Sequence, residues 1–135
     1  MMRNVRRPTL MIAALLIPLA ASAAEGLKPV KVIILAGQSN MEGQAVADLD
    51  GRDYNDGKGT LLQLLNDPEK VAMFQHLRDA DAQWTVRDDV WVRYQREHEP
   101  LLAGPLTVGF SVYGDPHHFG PELQFGHLLG DYFDN

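Results

Sequence analysis

The chain has 135 residues, 45% of them hydrophobic and 22% charged, and contains no cysteine. That is room for one globular domain, whose stability comes from a core rather than from disulfides. The formal charge is -6, and removing Arg3, Arg6 and Arg7 from the twelve Lys and Arg leaves nine basic against eighteen acidic residues; such a surface repels nucleic acid phosphates and anionic membranes.

The first 23 residues read as a signal peptide. Arg3, Arg6 and Arg7 make a basic start, Leu10 to Leu19 an apolar middle and Ala21-Ser22-Ala23 a small-residue cleavage site. The apolar run is too short to cross a bilayer. The expected product is residues 24–135, secreted or periplasmic and not attached to a membrane once the leader is removed. The Arg6-Arg7 pair raises twin-arginine export, but Pro8-Thr9-Leu10 fits that route poorly, so ordinary secretion leads.

Lys31 to Met41 reads as a buried strand entering a tight turn. Val32 to Ile34 is a β-branched run suited to a strand covered on both faces, and Gly37 permits the turn. Ser39 is thereby placed at the carboxyl end of the strand, the edge where open α/β sheets bind ligands. A serine there is also a common turn residue or helix cap. Gln38 and Asn40 flank it with amides that can hold the turn or meet a substrate, and Glu42 is either a sugar contact or an exposed charge.

Glu42 to Gly59 is rich in Gly, Asp and Asn and has no period, so it is expected to be a long loop. Gly57-Lys58-Gly59 lacks the spacing, the Ser or Thr after Lys58 and the preceding strand that a phosphate loop requires. Thr60 to Asp79 is expected to form two short helices, the second started by Asp67 and Pro68. Trp84 to Val86 and Val90 to Tyr94 alternate like strands of a small hairpin. Leu106 to Tyr113 is a further β-rich run. In the last segment Phe125, Leu128, Leu129, Tyr132 and Phe133 repeat at helical spacing and predict an apolar face. Gly120, Pro121 and Glu122 mark the start of that helix, with Glu122 complementing its dipole.

A strand followed by Gly37-Gln38-Ser39-Asn40-Met41 resembles the first block of the SGNH hydrolases, in the branch of the sialate O-acetylesterases and acetylxylan esterases. Gly104 to Phe110, followed by His118 to Gly126, is similar to that branch's second block, in the same order. The resemblance implies a three-layer, flavodoxin-like α/β fold with a parallel sheet, incomplete here at its carboxyl end. It also implies Ser39 as nucleophile and an oxyanion hole made by the Ser39 and Gly120 amides with a later Asn. A closing Asp-x-x-His would complete the site; neither it nor the later Asn is visible in the sequence, so both are expected beyond Asn135. Gln38, Asn40, His118 and Glu122 become candidate substrate contacts. A backbone amide at a helix start can stabilise an oxyanion, and glycine lets the substrate carbonyl approach it.

A serine hydroxyl needs a base. His76 and His98 sit in polar contexts, and His127 lies off the predicted apolar stripe, so all three are expected at the surface. Asp115-Pro116-His117-His118 mimics the Asp-x-x-His spacing, but it precedes the second block, where His118 would line the pocket instead. His117 and His118 alone do not make a zinc site. The expected function is a serine esterase removing O-acetyl groups from sialic acid or a polysaccharide, with no metal or organic cofactor. The alternative is a non-catalytic, glycan-binding remnant. A nucleotide-binding flavodoxin-like domain is disfavoured, since Gln38-Ser39-Asn40 offers too few small donors for a phosphate.

Overall fold

The computed structural model describes residues 29–133, so the leader read at 1–23 lies outside the described residues. The chain separates into a unit ending at Val32 and a second from Ile33 onward. The described part of the first, residues 29–32, forms no helix or strand, and its Val30 and Val32 are exposed.

Among the described residues of the second unit there is no parallel sheet, and the expected three-layer flavodoxin-like architecture is overturned. Two small antiparallel pairs take its place. β1 (Ala45–Val46) pairs with β4 (His118–Phe119), and β2 (Arg87–Tyr94) pairs with β3 (Leu102–Leu106). Ile33 to Leu35, the end of the expected central strand, lies in none of these strands, and Ile34 is 83% exposed. The physical reason is that a β-branched run becomes a strand only when a neighbour takes its backbone hydrogen bonds. Among the described residues no strand lies beside it.

Thr60 starts α1 (Leu61–Leu65) by accepting the Gln63 N–H on its hydroxyl at 3.2 Å. Asp67 does not cap the next helix as its sequence suggests. Its side chain takes the Glu69 N–H at 3.0 Å and its carbonyl takes the N–H groups of Lys70 and Val71, making a turn that leads into α2 (Val71–Phe74). A 3₁₀ turn, Gln75–Leu77, then buries Leu77.

The hairpin expected from Trp84 to Tyr94 is displaced. β2 finds its partner across the polar loop in β3, with an irregularity between Arg87 and Trp91, while Trp84 only bridges to Arg78. Leu106 to Tyr113 is strand for its first residue only. The core gathers Ala47, Leu61, Leu77, Leu106, Val108 and Leu123.

α3 (Glu122–Phe133) forms where the sequence predicts it but turns another face inward. Leu123, Gly126, His127 and Gly130 are buried, whereas Phe125, Leu128 and Tyr132 of the expected stripe are exposed. The glycines decide this. A Cβ on Gly126 would stand 2.6 Å from Leu106 Cδ2, so only a bare backbone lets α3 lie this close to β3. Arg87 reaches across from β2 to donate to the His127 carbonyl at 2.8 Å and pairs with Asp89 and Asp131, fixing the helix to the hairpin.

Candidate active site

The turn carrying Ser39 is closed by the Gln38 carbonyl, which accepts the Met41 N–H at 2.6 Å and the Glu42 N–H at 3.2 Å. Its far end is tied down at Glu42, whose carbonyl accepts the Tyr94 hydroxyl and the Val112 N–H at 2.8 and 2.7 Å. Gly43 follows with φ +71, and a side chain there would stand 2.8 Å from the Gly120 nitrogen. Glycine at 43 therefore allows the loop after the turn to lie directly against the start of α3.

That approach forms an open cleft of about 530 Å³ lined by Ser39, Asn40, Gln44, Ala45, Phe119, Gly120 and Pro121. Residues 80 positions apart in the sequence meet there through the pairing of Ala45 with Phe119 and of Val46 with His118. Ser39 and Asn40 are exposed and Gly120 is buried.

The other candidates fall elsewhere. Gln38 contributes its backbone to the turn and its side chain does not line the cleft. His118 does not line it either. Successive side chains of a strand point to opposite faces, so Phe119 in the cleft sends His118 to the other side of β4. There its Nδ1 donates to Asp115 Oδ1 at 2.8 Å and its ring packs on Tyr113, 4.2 Å between centroids. Burial pushes the Asp115 carboxyl up, but the hydrogen bonds from His118 and the His117 backbone outweigh it and leave the pKa lowered. The Asp-x-x-His geometry is thus real, but it faces away from Ser39. His117 meets Asp48 at 2.8 Å.

Glu122 touches the proposed oxyanion donor itself. Its Oε1 accepts the Gly120 N–H at 3.0 Å. Burial pushes this carboxyl up, opposed by the N–H groups of Gly120 and of its own backbone. The pKa of the Tyr94 hydroxyl is raised by burial first, with Arg96 opposing the rise and Glu42 and Glu122 adding to it.

The expectation of a surface His127 is corrected. It is 3% exposed, edge-on to His76 at 5.1 Å, while His76 Nε2 donates to Gln124 at 3.1 Å. Nothing in the i, i+3 pattern of large apolar residues signals this; the paired small residues Gly126 and Gly130 do, since they mark the side where α3 approaches its neighbours. None of the five histidines lines the cleft, and among the described residues no group of three or more His, Cys, Asp and Glu is placed to hold a metal. No protein-family model, no curated protein and no solved structure matches the chain.

Proposed function

We propose that the cleft is an esterase site for O-acetylated carbohydrate, with Ser39 as nucleophile and the Gly120 amide as oxyanion donor. One observation carries the reading: Ser39 and Gly120, far apart in the sequence, line the same cleft. In the proposed reaction Ser39 Oγ attacks the acetyl carbonyl, and the developing oxyanion takes the Gly120 N–H. The sugar alcohol leaves with a proton, and water then hydrolyses the acetyl-serine to acetate. Asn40 and Gln44, on the same cleft, are placed to meet sugar hydroxyls. The protein would act outside the cytoplasm if the leader is removed as its sequence suggests.

Ser39 must lose its proton, and no imidazole lines the cleft to take it. Hydrolysis of an aryl acetate is therefore expected to stay near background in plain buffer and to gain a Ser39-dependent component when imidazole is supplied. Ser39→Ala measured in the same imidazole gives the reference. Equal rates for the two proteins would overturn the reading.

Glycan binding without catalysis is a second reading, favoured by the fact that Glu122 already holds the Gly120 amide. It is distinguished by tight binding of an acetylated oligosaccharide that no base converts.

A further inference from the structure

An oxyanion donor has to be vacant when substrate arrives, and here it is not. Glu122 Oε1 holds the Gly120 N–H at 3.0 Å, and the other carboxylate oxygen occupies the space in which a side chain on Gly120 would stand. The Gly43 Cα crowds the same space, 3.1 Å from where that side chain would begin. A carboxylate has the charge and the trigonal oxygens of acetate, the acid that the proposed reaction releases. An oxygen accepting at 3.0 Å from the amide stands where an oxyanion would have to stand.

We propose that Glu122 is an internal plug that mimics bound product on the Gly120 amide and keeps that donor occupied until the carboxylate swings away. This inference rests on the esterase reading and describes the regulation of the same site.

Opening requires either substrate to displace the carboxylate or the carboxylate to lose its charge, since a neutral acid is the weaker acceptor. Tyr94 on β2 donates its hydroxyl to the Glu42 carbonyl at 2.8 Å. Arg96 lies 3.8 Å from Glu42 through its Nε. The Glu122 contact also caps the helix, as an acidic residue in the first turn ordinarily does. A cap alone, however, gives no reason for the rate at Ser39 to rise when it is removed.

The test combines two measurements. In the first, a fluorophosphonate probe labels Ser39 in imidazole buffer, and the labelling rate is compared between the unmodified protein, Glu122→Ala and Glu122→Leu, neither of which carries an acceptor for the amide. One oxyanion donor is worth about 10²–10³ in rate, so both variants are expected to label at least about tenfold faster, with Ser39→Ala silent in every background. In the second, the Gly120 amide resonance is followed against pH in the unmodified protein; it should move with the protonation of Glu122, and that movement should vanish in Glu122→Gln. Labelling at unchanged or lower rates in both variants, or an amide resonance indifferent to Glu122, would overturn the plug while leaving the esterase reading standing. Absence of Ser39 labelling in every protein would overturn the esterase reading and the plug with it.

Discussion

Gly126→Ala sets two known effects against each other at one position. On an exposed helix the change is worth about 1 kcal/mol in favour of alanine, because glycine loses more backbone freedom on folding. Here the added methyl would stand 2.6 Å from Leu106 Cδ2, 3.3 Å from Cδ1 and 3.4 Å from Val90 Cγ1. Leu106 is 0% exposed and cannot move its branch into solvent. Overpacking of this kind costs about 1–3 kcal/mol, so the steric loss outweighs the helical gain and leaves a net destabilisation of up to about 2 kcal/mol. For a domain of about 100 residues, each kcal/mol moves Tm by about 4–8 °C. Thermal melts followed by circular dichroism should therefore show a fall of several degrees. A cycle with Leu106→Ala tests the cause: that change alone costs about 2–5 kcal/mol by opening a cavity, and the double variant should lose less than the sum because the new methyl enters the vacated space. A rise in Tm for Gly126→Ala alone, with additive behaviour in the double variant, would mean that α3 does not rest its glycine face on Leu106.

Three further outcomes follow from the packing of α3. The His127 pKa lies below its ordinary 6.5, through burial first and then the neighbouring His76 and Arg87 charges; the unfolded chain takes up a proton that the folded one resists, so stability is full above about pH 6.5 and falls as the pH drops below it, a slope that melts of His127→Gln should not show. Arg87→Met removes the donors to the His127 carbonyl, Asp89 and Asp131; with Arg87 itself nearly buried but Asp131 70% exposed, the loss should sit near 1.5 kcal/mol, the lower end for charged hydrogen bonds, and appear as faster amide exchange along α3. Leu128 and Tyr132 are 58% and 72% exposed, so the protein should bind a hydrophobic dye, and Leu128→Lys with Tyr132→Lys should reduce that binding and any self-association seen by size-exclusion chromatography.

Local signals in the sequence carried further than global ones. The first short helix after Thr60 and the long helix after Gly120 are legible because their starts depend on near neighbours, the Thr60 hydroxyl on Gln63 and the Glu122 carboxylate on Gly120, whereas the second short helix exists as expected but starts later than Asp67 and Pro68 suggest. The fold class was not legible, since Val32 to Leu35 has the composition of a buried parallel strand and composition does not supply a partner. The inward face of α3 was misjudged because large apolar residues were weighed and the close approach allowed by Gly126 and Gly130 was not. At the site, Ser39 and Gly120 line one cleft because β1 pairs with β4, a pairing of two-residue strands. The side of β4 on which His118 falls depends on a two-residue strand pairing that no local pattern reveals. Likewise, the sequence shows Glu122 two residues after Gly120, but only the backbone path shows its carboxylate turned back onto that amide.

The central claim is that Ser39 forms a covalent acyl intermediate in the cleft, and its most direct test is to trap that intermediate. The protein is mixed with an aryl acetate in imidazole buffer, quenched in acid within the first turnover and digested for mass spectrometry. The account predicts a single acetyl group on the peptide carrying Ser39, absent in Ser39→Ala. Acetylation spread over surface lysines, with Ser39 unmodified, would contradict it.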